Sequence, residues 1–308
     1  MSIITLKNQQ FEAHIASQGG TVHGLWWHNQ GRIIPLLREA KHADAAPVET
    51  GGFPLIPFGN RIPQNCFSFE GRDYQFQANT DDDPLYIHGE SWQGLWHIAE
   101  QSENRLVLRF TQDKADAAFI YKAEQSFTLD ETGFSLSMRV TNKGDKAMPF
   151  GLGWHPYFHL TEQTQLQLNA QKMWTQGAGY LPENRVNIPD DLNFNRMKKL
   201  PNHWVNNGFE GWDGTATLVW PEQNTALTMS ADPLFDRFFL YAPHGVPEPQ
   251  SRSDYFCLEP MSHMAGDHCR DGYGGLKILQ PFESLSGTIR LQPEQTKAFP
   301  AKVGTGFA

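Results

Sequence analysis

The densest chemistry in the sequence lies in Gly151-Leu152-Gly153-Trp154-His155-Pro156-Tyr157-Phe158-His159-Leu160. Histidine is the side chain best suited to exchange a proton near neutral pH. Pro156 pushes His155 out of the helical region towards an extended backbone, so side chains alternate and His155, Tyr157 and His159 share one side. Gly151 and Gly153 lack a Cβ and let another backbone segment or a ligand approach, and the neighbouring aromatic rings offer flat apolar faces. A core histidine satisfied by a backbone carbonyl would give the same local pattern.

Glu259 is the second such residue. It ends the apolar run Tyr255-Phe256-Cys257-Leu258 and precedes Pro260. A carboxylate there is costly unless hydrogen-bonded, and partial desolvation raises its pKa, which suits a general base. Alone, it reads first as an ordinary solvated strand end. His88 closes a short strand before Gly89, and Arg61 sits in a loop stiffened by prolines. A rigid guanidinium fork reads hydroxyls or carboxylates well. Neither residue is diagnostic singly.

The elements that must position these groups alternate at period two almost throughout, and helical stripes are scarce. The prediction is an all-β fold. Strands are expected at 2–8, 12–18, 21–27, 32–37, 95–100, 105–111, 122–129, 133–141, 237–242, 254–259, 276–280 and 286–292, with hairpins around Glu70-Gly71 and Glu222-Gln223-Asn224. Residues 51–63 are broken by Pro54, Pro57 and Pro63 and read as a shaped loop rather than a central strand. Residues 180–210 read as loop, and Asp81-Asp82-Asp83-Pro84 as a solvated turn. With no linker, fixed-period repeat or composition break, residues 1–308 read as one domain, the last dozen residues a frayed tail.

Composition narrows the function classes. The chain has 308 residues, with 39% hydrophobic and 19% charged residues, a globular balance that permits a large core. A net charge of -9 argues against a nucleic-acid or anionic-membrane surface. Cys66, Cys257 and Cys269 are odd in number and widely spaced, and read as reduced thiols. The amino-terminal residues lack a signal-peptide pattern and no 18-residue apolar span occurs, so the expectation is a cytoplasmic protein.

Taken together, five segments in order resemble the aldose 1-epimerase (galactose mutarotase) family. They are Asn60-Arg61-Ile62, the hairpin Phe67-Ser68-Phe69-Glu70-Gly71-Arg72-Asp73-Tyr74, Ile87-His88-Gly89 with Trp96 behind it, Gly153-Trp154-His155-Pro156-Tyr157-Phe158, and Cys257-Leu258-Glu259-Pro260. The resemblance implies a large antiparallel β-sandwich of the galactose mutarotase-like supersandwich type, with a sugar in an open cleft across one sheet and no metal or organic cofactor. It implies that Glu259 takes the proton from the anomeric hydroxyl and that His155 gives one to the ring oxygen. Arg61, His88, Asn60, Asn206 and Tyr157 would bind substrate. Independently, opening a hemiacetal needs one base and one acid across the C1–O5 unit, and positioned proton transfer typically contributes about 10²- to 10⁴-fold. Trp154, Tyr157 or Trp92 could stack on the sugar, although each also reads as core.

One departure stands out. The family's sugar-binding carboxylate in an Asp-x-x-Phe pattern aligns with Asn206-Asn207-Gly208-Phe209, so an amide replaces the charge, a loss that Asp213 a few residues on could compensate. Four rival readings stand beside this one. Cys257, His263, Asp267, His268 and Cys269 crowd one segment without any standard zinc spacing. A glycosidase would pair Glu259 with Asp254 or Asp213 and leave His155 unused. A hexose-6-phosphate 1-epimerase would need a cationic subsite such as His263, His268 and Arg270. A non-catalytic carbohydrate-binding or sensing protein would not need an acid and a base. The sugar's identity, the oligomeric state and the pathway are not encoded in any motif.

Overall fold

Period-two alternation becomes antiparallel sheet along nearly the whole chain. The protein is represented by a computed structural model that describes residues 2–244 and 254–296; the expected tail lies outside the described residues. An eleven-stranded sheet runs in the spatial order Ile3–Lys7, Phe11–Ala16, Val22–Asn29, Gly52–Leu55, Gly153–His159, Tyr255–Met261, Arg237–Pro243, Trp204–Glu210, Lys172–Gln176 and Pro182–Val186, with Arg32–Pro35 beside Val22–Asn29. A nine-stranded sheet runs Lys198–Lys199, Gln165–Leu168, Thr215–Trp220, Thr225–Ala231, Ser284–Gln295, Phe134–Asn142, Tyr121–Leu129, Arg105–Gln112 and His97–Gln101. Two short ribbons, Cys66–Phe69 with Arg72–Gln75 and Met148–Phe150 with Lys277–Leu279, complete an all-β sandwich.

The strand Phe134–Asn142 shows why the sheets stack. Phe134, Leu136, Met138 and Val140 are all buried in the shared core while the residues between them are not. From the eleven-stranded sheet, Trp154, Phe158, Phe256, Leu258, Phe238 and Leu240 enter the same core. Burying each such side chain contributes about 1.5–3 kcal/mol. A one-residue slip of Gly153–His159 would lose that burial and drive His155 into the core, so packing also fixes which way the chemistry points.

Two expectations are corrected. Gly52–Leu55 is a strand near the middle of the large sheet, paired with Gly153 through Pro156. On its other side it pairs with Val22–Asn29 at one position only, Val22 with Gly52, which leaves room for Pro54 and its missing N–H. Residues 180–210 also contain Pro182–Val186 and Trp204–Glu210, polar strands at and near one margin of the sheet. Their outer faces are not covered by core, so no hydrophobic alternation advertises them.

Candidate active site

The core-facing residues of two central strands leave His155, Tyr157, Cys257, Glu259 and Met261 on the opposite face. Gly153 pairs with Met261 and Tyr157 with Cys257, so the register sets His155 opposite Glu259. Glu259 is in turn paired with Phe239, and Phe239's strand places Gly208 in the same row. The neighbouring row is Tyr157, Cys257, Tyr241 and Asn206. A second hydrophobic cluster, including Phe53, Leu55, Trp92, Tyr157, Phe239 and Met264, packs around this face.

His155 Nε2 lies 3.4 Å from Glu259 Oε1, with the two side chains 12% and 5% exposed. Burial pushes the Glu259 carboxyl up to about 8 against the pull of Arg61. Burial lowers His155 to about 3, and the positive charges of Arg38 and Arg61 push the same way. At neutral pH the pair therefore carries one proton. Glu259 Oε2 and His155 Nδ1 are buried without a hydrogen-bond partner among the described residues. Buried polar atoms are normally satisfied, so two orphans in one contact pair mark a site prepared for something else.

The imidazole is held flat between rings: Phe53 stacks at 4.6 Å and Tyr157 at 4.8 Å, with His88 edge-on at 5.6 Å between centroids. His88 sits at φ 62°, and the backbone N–H of Asn60 donates to its Nδ1 at 2.9 Å. That bond makes Nδ1 the acceptor, so the ring's proton resides on Nε2. Burial, reinforced by His155, Arg61 and His263, keeps His88 neutral. The turn following it depends on Gly89, where a Cβ would come within 2.2 Å of Pro57.

Asn60 and Arg61 are thus tied to His88 through backbone. The Asn60 side-chain oxygen accepts from Arg61 N at 3.0 Å and from Arg61 Nη1 at 3.3 Å. Arg61 also donates to Asp83 through Nε at 2.7 Å and Nη2 at 2.6 Å, both side chains being 14% exposed. Asp83 is therefore no solvated turn acid; it holds the arginine fork. Nothing in the sequence signalled a partner so far away in the chain.

Arg38 is a further residue that sequence reasoning missed. Only 4% exposed, it lies 3.8 Å above the Tyr157 ring and donates to the Thr50 carbonyl from Nε at 3.0 Å and from Nη2 at 2.7 Å. It has no carboxylate partner among the described residues. It opens a polar loop and belongs to no motif.

Other expectations divide. Trp154 is buried in the core between the sheets, and Trp92 is buried against Phe53, whereas Tyr157 faces the site. Gly151 makes room not for a ligand but for the His263 ring, 2.2 Å from where its Cβ would stand. Asn206 is two strands over and one row along from Glu259, on the order of 12 Å between Cα positions by sheet spacing. Asp213 caps Thr215 N at 3.0 Å and accepts from Asn169 at 2.9 Å, in the turn beyond the strand that carries Asn206.

The 263–269 segment is engaged in holding its own fold. His263 Nε2 accepts from Gly59 N at 3.0 Å; Asp267 accepts from Met264 N and Gly275 N, each at 2.8 Å; and His268 is packed among Phe58 and Phe67. Among the described residues, the side chains whose donor atoms do converge are His155, Cys257 and Glu259.

Comparison with known proteins agrees with this architecture. The family model for aldose 1-epimerase matches residues 2–292. The uncharacterized protein YphB of Escherichia coli (strain K12) is 36% identical over 295 residues, covering 96% of this chain and 99% of that protein. A crystal structure of a candidate aldose 1-epimerase from E. coli K12 superimposes with a TM-score of 0.90 at 35% identity, over 96% of this chain and 99% of that one. A galactose mutarotase-like protein from Clostridium acetobutylicum gives a TM-score of 0.80 at 21% identity over 96% and 95% of the two chains, a likeness of fold. With the family model spanning nearly the whole chain and the sandwich matched from end to end, this protein belongs to the aldose 1-epimerase family.

Proposed function

We propose that the protein is an isomerase that interconverts the α and β anomers of a free aldose, using Glu259 and His155 and no cofactor. The observation that carries this reading is the buried pair 3.4 Å apart with an orphaned atom on each partner. Ring opening needs a carboxylate to take the C1 hydroxyl proton and an imidazolium to protonate the ring oxygen as the C1–O5 bond breaks. The products are the free aldehyde, a protonated Glu259 and a neutral His155. After rotation about C1–C2, the same groups run in reverse: the carboxyl returns its proton to the carbonyl oxygen, and the imidazole takes the O5 hydroxyl proton as O5 attacks the other face.

Only one proton resides on the pair at each stage. The resting arrangement, with that proton on Glu259, is the one ring closure starts from; moving it to His155 prepares ring opening. No proton need be drawn from solvent. His88, with its donor on Nε2, together with Asn60, Arg61, Tyr157 and Asn206, would bind hydroxyls and the ring-oxygen region.

A free aldose is favoured over a 6-phosphate by the state of the expected cationic subsite. Burial lowers His263 to about 3 and His268 well below its ordinary range, so both are neutral. Arg270 pairs with Asp267 at 3.3 Å and covers Trp174 at 3.8 Å. A phosphate would have to displace that carboxylate. The three cysteines are free, which supports the cytoplasmic placement, and no helix among the described residues is long and apolar enough to cross a membrane.

Exchange NMR on glucose, galactose and their 6-phosphates tests the reading. Acceleration confined to unphosphorylated sugars is the expected result. Preference for a phosphate ester would move the assignment to a hexose-6-phosphate 1-epimerase, and no acceleration of any sugar would favour a carbohydrate-binding protein.

A further inference from the structure

We infer that this face of the sheet also forms a binding site for a thiophilic divalent cation, Zn²⁺ in chemical class, on Cys257, Glu259 and His155, and that the cation excludes turnover while bound. One donor atom from each of the three side chains lies within 4.8 Å of the others. Zinc holds imidazole nitrogen and carboxylate oxygen at about 2.0–2.2 Å and thiolate sulfur at about 2.3 Å, in a tetrahedron. Two such N and O donors on one tetrahedral ion stand roughly 3.4 Å apart by that geometry. The His155 Nε2 to Glu259 Oε1 separation is already 3.4 Å. A tetrahedral ion sets sulfur about 3.5 Å from the other donors, so the thiol closes by roughly 1.3 Å at most, within the range of a small side-chain rotation.

A second observation points to a ligand independently of these separations. Glu259 is only 4% exposed, and its Oε2 is buried with no hydrogen-bond partner among the described residues. A cation bound by both oxygens of this carboxylate gives Oε2 the partner it lacks while keeping Oε1 beside His155 Nε2. Charge also balances: a thiolate and a carboxylate neutralise a divalent ion, so the filled site adds no net charge to a buried region where a lone charge is expensive. Mg²⁺ and Ca²⁺ do not fit, since they require six or more oxygen ligands and the cluster supplies one carboxylate. A tetrahedral ion on three protein ligands keeps a fourth position for water or a sugar hydroxyl.

As the cation enters, the proton on the Cys257 sulfur and the proton carried by the Glu259–His155 pair pass to solvent; no electron changes hands. The lone pairs that would accept substrate protons are then committed to metal. The effect on turnover rests on the acid/base reading above, whereas binding does not, so the two can fail separately.

The test uses the full chain freed of metal with a chelator and then titrated with Co²⁺ as the probe. The expected result is a thiolate-to-cobalt charge-transfer band with the intense visible bands of a four-coordinate ion, displaced by stoichiometric Zn²⁺ and not by Mg²⁺. Cys257→Ser should abolish the charge-transfer band and weaken Zn²⁺ binding at least tenfold, while the double variant Cys66→Ser/Cys269→Ser should keep the band and the wild-type turnover in chelator. Absence of the band in the wild-type protein, or its persistence in Cys257→Ser, would overturn the inference. A normal band in a protein that accelerates no sugar would leave the metal site standing and remove the proposed reaction.

Discussion

The strands Gly153–His159 and Tyr255–Met261 have two faces that were built under opposite rules. On the inner face Trp154, Phe158, Phe256 and Leu258 are fully packed between the sheets. On the outer face, one residue away along the same backbone, His155 and Glu259 hold buried polar atoms with no partners among the described residues. The inner face stabilises the fold through dispersion and dehydration. The outer face costs stability and retains unsatisfied groups for a ligand to use. Substitutions on the two faces should therefore separate stability from turnover.

The largest effect is expected at the outer face. His155→Ala and Glu259→Gln should each lower kcat by about 10²- to 10⁴-fold in steady-state anomerisation assays. Combining them should cost little more than either alone, because the two act as a unit. Glu259→Gln should also be more stable than wild type. The folded carboxyl releases its proton only at about 8, against 4.5 ordinarily, so between those values the unfolded chain binds fewer protons and wild-type stability falls as pH rises. Thermal unfolding at pH 8 should show the variant ahead by a few kcal/mol, an advantage that vanishes below pH 4.5.

At the inner face the signs reverse. Phe158→Ala should cost about 3–5 kcal/mol in denaturant unfolding while KM, measured on the folded fraction, stays near the wild-type value. A KM shift comparable to the stability loss would show that the two faces are not separable. Next in size is the pH profile of wild-type kcat/KM. It should be level across neutral pH and fall about tenfold per pH unit above about 8, where the pair gives up its shared proton.

The smallest effect concerns the margin of the site. Asn206→Asp should lower KM by about 3- to 10-fold by replacing a neutral hydrogen bond to a sugar hydroxyl with a charge-assisted one. An unchanged KM would place Asn206 outside the bound sugar's reach.

Much of this contrast is legible in the amino-acid sequence itself, and the exceptions share a cause. Pro156 and the alternation of Trp154, His155, Tyr157 and Phe158 suffice to predict an extended segment with a chemical face and a packed face. Glu259 by itself reads as a solvated strand end, whereas it lies buried inside Tyr255–Met261, and only its place in the family-like segment Cys257-Leu258-Glu259-Pro260 singles it out. Local pattern fails where partners lie far apart in the chain. Asp83 reads as a solvated acid until Arg61 is placed beside it, and Arg38 is unremarkable until Tyr157 lies beneath it. Gly52–Leu55 is hidden by its proline, which is tolerated because one flank of that strand pairs at a single position. The strand bearing Asn206 is hidden because much of its outer face is polar, and polar segments carry no alternation to detect.

The most direct test of the central claim is the approach of a freshly dissolved pure anomer to equilibrium, followed by polarimetry with wild type, His155→Ala and Glu259→Gln at equal folded concentration. The account predicts acceleration by wild type, and rates close to the spontaneous one for both variants although Glu259→Gln is the more stable protein. Wild-type acceleration retained in either variant would contradict it.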